Sequence, residues 1–280
     1  MNFNTLREIS HAISMHDKEK VIYLIDKALQ GEQGKHWQRD LPKLRDFILD
    51  GAPRFTVFKK DGNSKLPFLA FSSLPGSGHC PGAGECLNFC YSFRAWRYPS
   101  AFCRQAQNSW LMYSVDGWNT IARELDRFEP ATGVIDFRLY VDGDFKDVAN
   151  ARQWFHMLKN RQWLNAYGYS KSWAELLQYS KFNDFPDNYT LNLSSGSVHG
   201  DDIKQAMKSL PITRGEFVAV SVGYKVKSTM HNDRLHQREL RKVYGKKAFT
   251  CPGKCNSCTV KGHACGSERF KGLDIIIAVH

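Results

Sequence analysis

The feature that most restricts the fold is a spacing. Four short apolar stretches, centred near residues 137, 167, 192 and 220, lie about 25 to 30 residues apart, with helix-like sequence between them. That interval is one strand plus one crossover helix, the connection that adjacent parallel strands require. Strands are therefore predicted over 134–141, 164–169, 189–193 and 216–222, with helices over 147–160, 171–179 and 201–210. Shorter strands are expected at 55–59 and 67–72. A long helical stretch over 100–128 should break near Asp116 and Gly117, and a basic helix over 232–243 precedes a last strand at 273–279. The pattern predicts an α/β fold, either a partial (β/α) barrel or a parallel sheet.

Residues 1–52 read as helices. Leu6, Ile9, Ile13, Val21, Ile22, Leu24, Ile25 and Leu29 recur at roughly helical spacing and Leu41, Leu44, Phe47, Ile48 and Leu49 make a second stripe, before Gly51-Ala52-Pro53 stops it. No plausible ligand set occurs there, so an N-terminal helical appendage is expected on an α/β region spanning 53–280. The 18 Phe, 11 Tyr and 7 Trp supply enough surface to bury that disorder is excluded. No apolar run approaches the roughly 20 residues of a membrane span, and Ile275-Ile276-Ile277-Ala278-Val279 is only strand-sized. The start, Met1-Asn2-Phe3-Asn4, lacks a basic-then-apolar signal segment, so a cytoplasmic protein with no membrane partner is expected. Eight cysteines would not persist there as disulfides. They read as metal ligands.

Six of the eight fall into two tight groups. Cys80, Cys86 and Cys90 are spaced C-x5-C-x3-C, with Cys103 following; Cys251, Cys255, Cys258 and Cys265 occupy a loop over 251–265. Short spacings let one loop wrap one metal centre, and the interspersed Gly and Pro permit the tight backbone this needs. Zinc sites usually pair C-x2-C knuckles, of which only Cys255 and Cys258 form one, so zinc is the alternative metal. Three cysteines on a short loop point to an iron–sulfur cubane, with one or two 4Fe-4S clusters in all. Cys103 reads as a fourth ligand or as core. His79 and His263 lie beside the ligands and read as substitutes or as supporting groups.

A three-cysteine loop after an early strand of such a fold, with Phe89 just before its last cysteine, resembles the radical S-adenosylmethionine enzymes. Their usual C-x3-C-x2-C spacing occurs instead at Cys251, Cys255 and Cys258. This resemblance implies S-adenosylmethionine as a cofactor. The blocks CPGAGECLNFCYS (80–92), RLYVDGDF (138–145) and AYGYSKS (166–172), then a Cys-rich tail and a terminal strand ending in His280, are similar to the phage "gene product 88" family. That resemblance implies a phage or mobile-element origin and a single site built from these blocks.

Asp142 and Asp144 follow one predicted strand, Lys171 the next, and Ser194 and Ser195 the third. Acids at strand ends can bind an amine or ribose, act as a base or hold a metal; they can equally cap the next helix. Lys171 can meet a carboxylate or phosphate, and the serines can cradle an anion. Thirty-nine Lys and Arg against 28 Asp and Glu give a net charge of +11, which favours a polyanionic partner such as nucleic acid. Arg94, Trp96, Arg97 and Tyr98 form an Arg/aromatic run suited to stacking on bases or to packing around a dry cluster. Arg234, Arg238, Arg241 and Lys242 lie in the strongest basic stretch, which is a nucleic-acid patch or a solvated helix face.

The leading expectation is a radical S-adenosylmethionine-like iron–sulfur enzyme acting on nucleic acid or its building blocks. Cys80, Cys86 and Cys90 would hold the reactive cluster, and Asp142, Asp144 and Lys171 would orient its ligand. The rival is a non-catalytic nucleic-acid-binding protein with two metal sites. A third reading is a divalent-metal nuclease or transferase that uses the strand-end acids.

Overall fold

A computed structural model of the chain describes residues 1–60, 67–76, 78–88, 90–255, 258–259 and 262–279. The expectations placed on Phe89 and His280 lie outside the described residues. Among the described residues there are ten α-helices and eight strands. The helices are α1 (Phe3–Ser14), α2 (Lys18–Gln30), α3 (Lys35–Asp50), α4 (Tyr91–Ala95), α5 (Pro99–Leu111), α6 (Val115–Asp126), α7 (Val148–Lys159), α8 (Trp173–Ser180), α9 (Asp201–Lys208) and α10 (Arg234–Tyr244). The strands are β1 (Phe58–Lys59), β2 (Leu69–Phe71), β3 (Ile135–Leu139), β4 (Leu164–Ser170), β5 (Tyr189–Ser194), β6 (Thr213–Val220), β7 (Phe249–Thr250) and β8 (Ile275–Ala278).

All eight strands join one sheet in the order β1-β2-β3-β4-β5-β6-β8-β7. Only β1 is antiparallel to its neighbour; every other pair is parallel. The C-terminal ends of β2 to β6 therefore share one edge of the sheet, which is what gathers the loops described below.

Side chains alternate across the sheet. Phe137 and Leu139, Leu164 and Ala166, Leu191 and Leu193 share one core with Phe102 of α5, Trp154 and Phe155 of α7 and Leu176 of α8. Ile9, Ile13, Leu41 and Phe47 of α1 to α3 belong to that same core, and Trp37 meets Phe102 edge-on with ring centroids 6.0 Å apart. The N-terminal helices are thus built into the α/β body through α5.

Local chemistry sets the helix boundaries. Asp17 accepts from Lys20 N at 2.9 Å and Asp147 from Asn150 N at 2.7 Å, capping α2 and α7. The long helical stretch breaks at 112–114, ahead of the expected Asp116-Gly117, because Ser114 Oγ accepts from Gly117 N at 3.0 Å and starts α6. Gly117 itself is helical, and it permits the tight α5–α6 turn: a Cβ there would sit 1.9 Å from the Leu111 carbonyl oxygen.

The opposite face of the sheet carries Asp136, Arg138, Asn165, Tyr167, Tyr169, Asn192 and Arg214. It is lined by the chain that leads into β8. Buried Asn192 donates to Cys265 O at 2.9 Å, and buried Arg214 donates to Phe270 O and Leu273 O at 3.0 and 2.6 Å. Without that segment these polar groups would be stranded, at a cost of about 1–3 kcal/mol each. Among the described residues no helix is long and apolar enough to cross a membrane.

Candidate functional site at the strand ends

The loop after β2 crosses the C-terminal edge of the sheet and is held there by backbone contacts. Ser73 N donates to Asp142 O at 3.0 Å, and Cys80 N to Gly76 O at 2.9 Å. Gly84 N donates to Gly196 O at 3.1 Å, Val198 N to Gly82 O at 3.0 Å, and Ala83 forms a β-bridge with Ser197. Cys80, Cys86 and Cys90 are thereby carried over the ends of β4 and β5, beside the loops predicted to form the site. All eight cysteines are free thiols.

Asp144 is the joint between the β3 and β4 loops. Its carboxylate accepts from Phe145 N at 2.8 Å, Ser170 Oγ at 2.7 Å and Lys171 N at 2.7 Å. Burial pushes its carboxyl up in spite of these bonds. Lys171 Nζ donates to Ser194 Oγ at 2.7 Å, so its ammonium stands over the end of β5. Burial raises the Cys80 thiol and Asp144 raises it further; burial raises Cys86 too, and the Lys171 charge opposes the shift at both. Asp142 Oδ2 accepts from Gln105 Nε2 at 3.0 Å. Ser195 Oγ accepts from Ala219 N at 2.9 Å, which ties β5 to β6.

Two neighbours of this loop face elsewhere. His79 Nε2 lies 3.0 Å from Ser10 O of α1, and burial pushes its pKa down to about 4. Cys103 is fully buried in α5 within the helical core, where Asp40 of α3 acts on its thiol.

The second group follows β7. Cys251 N donates to Ile276 O at 2.8 Å, Gly253 N to Cys251 Sγ at 3.4 Å, and Ala264 N to Cys258 Sγ at 3.3 Å. Cys251 feels Cys265, Cys255 and Cys258 electrostatically, and burial raises its thiol to about 12. Burial raises Cys265 to about 11, against a hydrogen bond from Tyr169. His263 Nδ1 accepts from Gly266 N at 3.1 Å, and Nε2 lies 3.4 Å from Asp136 Oδ1, so the ring fastens this segment to β3. Among the described residues no three His, Cys, Asp or Glu side chains converge to hold a single metal ion.

The basic residues divide. Arg94 and Arg97 are exposed around α4, whereas Trp96 is buried and donates from Nε1 to Gln105 Oε1 at 2.9 Å. Trp96 therefore orients Gln105, and through it Asp142, instead of offering a free ring for stacking. On α10, Arg234, Arg238, Arg241 and Lys242 are exposed while His236 and Leu240 pack beneath; Lys242 Nζ donates to Glu239 at 2.8 Å. Gln105 enters the site unanticipated. Nothing in the local sequence distinguishes Gln105 from other polar residues of α5.

The family model described as "Gene product 88" matches residues 52–272. No curated protein and no solved structure matches. The matched span contains both cysteine groups, the strand-end loops and α10.

Proposed function

This chain belongs to the gene product 88 family over residues 52–272, and on that premise we propose that it is an iron–sulfur enzyme of radical S-adenosylmethionine-like design from a phage or mobile element. The observation that carries the reading is the placement of Cys80, Cys86 and Cys90. One loop presents all three thiols over the C-terminal ends of parallel strands, beside Asp142, Asp144 and the Lys171–Ser194 pair. In βα architectures that edge is where reactions are conducted.

Three cysteines on one short loop support a cluster over a single ion. Tetrahedral zinc, with bonds of about 2.3 Å, needs closely convergent sulfurs, whereas a cubane places each thiolate on a different iron. Cys80, Cys86 and Cys90 would hold three irons. The bound cluster would supply single electrons at low potential. Asp142 would take an ammonium of the cofactor or substrate, Lys171 a carboxylate or phosphate, and Asp144 would fix both loops. Cys251, Cys255, Cys258 and Cys265 would form a closed structural or electron-relay centre. The sheet would then be a partial (β/α) barrel, with nucleic acid or a nucleotide as substrate.

Anaerobic purification followed by iron, sulfide and zinc analysis tests this. Brown protein with acid-labile sulfide that cleaves S-adenosylmethionine under reduction is expected. Colourless protein with stoichiometric zinc sinks the reading. A second reading, a non-catalytic nucleic-acid-binding protein with two cysteine-ligated metal sites, is favoured by the exposed cations of α10. It predicts binding without cofactor cleavage.

A further inference from the structure

Arg138 lies on β3 directly across from Tyr167 of β4, on the sheet face turned away from the helical core. Its guanidinium carries a permanent charge. Among the described residues it has neither a hydrogen bond nor an ion pair, and its Nε is buried without a partner. The Tyr167 hydroxyl beside it is also buried and unpartnered. The acid nearest along the strand, Asp136, is already engaged by Asn165 Nδ2 at 2.7 Å and by His263. The remaining neighbours are the Tyr169 ring, whose centroid lies 4.7 Å from Cζ, and Tyr91 and Cys255 within electrostatic reach.

Tyr91 shows that this region is open. Tyr91 is 51% exposed, and Arg138 and Tyr169 are only partly buried, so the outer part of the guanidinium is open to solvent beside aromatic rings.

We propose that Arg138 and Tyr167 form a binding site for an oxyanion, the phosphate or carboxylate group of a small ligand whose body lies among Tyr91, Tyr167 and Tyr169. An oxyanion presents acceptors that match the guanidinium fork and leaves a lone pair for the phenol. It neutralises a charge that the chain itself leaves unpaired. The site requires no metal, so it stands or falls separately from the cluster reading.

Calorimetric titration of the purified full chain with inorganic phosphate and, in parallel, with acetate tests the proposal. At least one anion should bind the wild type, and the stronger of the two identifies the ligand as a phosphoester or a carboxylate. Arg138→Met should weaken that binding roughly ten- to a hundredfold, and Tyr167→Phe should weaken it several-fold. The melting temperature of Arg138→Met without anion should hold or rise, since an unpaired charge has been removed. If Arg138→Met does not fold, Tyr167→Phe, which preserves the ring, gives the reading alone. Failure of both anions to bind the wild type, or undiminished binding in the variants, overturns the proposal whatever the iron content.

Discussion

Gly82 lies so close to the Lys171 carbonyl that a Cβ at position 82 would sit 1.6 Å from its oxygen. The obstacle is backbone, so no rotamer change relieves it. This contact, with the Gly84–Gly196 hydrogen bond, is what presses the cysteine loop onto the strand ends. Gly82→Ala should lift the loop, cost about 1–3 kcal/mol in stability and lower the iron retained per chain. At Gly84 the nearest atom to an added Cβ is Val198 N at 3.1 Å, so Gly84→Ala should be milder. Thermal melts and iron analysis on both variants check the ranking.

Cys103 separates packing from ligation. It is fully buried in the core shared by α3 and α5, and none of the other cysteines acts on its thiol. Cys103→Ala should lower stability by about 1–2 kcal/mol through the lost sulfur volume and leave the iron-to-protein ratio unchanged. A fall in iron matching that of Cys86→Ala would make it a ligand.

Much of this arrangement was legible in the sequence. The strand spacing marks β3 to β6, and once they are parallel the loops carrying Asp144, Lys171 and Ser194 must share an edge. What escaped was long-range. The stripe Leu41, Leu44, Phe47 and Ile48 identifies an amphipathic helix but not its partner, so the fusion of α3 with α5 was invisible. The two-residue β7 and the short α4 carry no measurable periodicity. Alternation along Ile135–Leu139 places Arg138 opposite the core, yet cannot tell that no acid among the described residues pairs with it there. For Trp96 the sequence left stacking on bases and interior packing both open, because its partner, Gln105, lies on the next helix.

Asp40 predicts the acid limb of stability. The Arg39 guanidinium, bonded to it at 2.7 and 2.8 Å, holds its carboxyl below the ordinary value of 3.8. A depressed carboxyl contributes stability that is present above its unfolded value and is lost as the pH falls through the folded one. The loss should therefore begin below pH 3.8. Asp40→Asn should make that limb shallower in denaturant melts and leave stability at pH 7 reduced.

The exposed face of α10 makes a charge prediction. Arg238, Arg241 and Lys242 point outward, while His236 and Leu240 anchor the helix. Replacing the three cations with Ala should leave the melting temperature nearly unchanged. If they grip phosphates, the log–log salt slope of DNA or RNA binding should flatten by about 2–3 units. An unaltered slope returns this face to plain solvation.

Asp142 and Asp144 sit two residues apart and should fail differently. Asp144 uses its carboxylate inside the protein, accepting from Phe145 N, Ser170 Oγ and Lys171 N, so its removal strands three donors. Asp144→Ala should cost about 3 kcal/mol or more and disorder the loop that holds Lys171 over Ser194. Asp142 bonds a single side-chain donor, Gln105 Nε2. Asparagine can keep that bond through its amide oxygen, so Asp142→Asn should melt within a degree or two of wild type. What it loses is the charge. If Asp142 receives an ammonium, the variant should bind S-adenosylmethionine roughly tenfold or more weakly while its fold and iron content persist. Calorimetric affinity measured beside the thermal melt separates the two roles. A stable Asp142→Asn protein with full affinity would confine Asp142 to holding Gln105 and Ser73 in place.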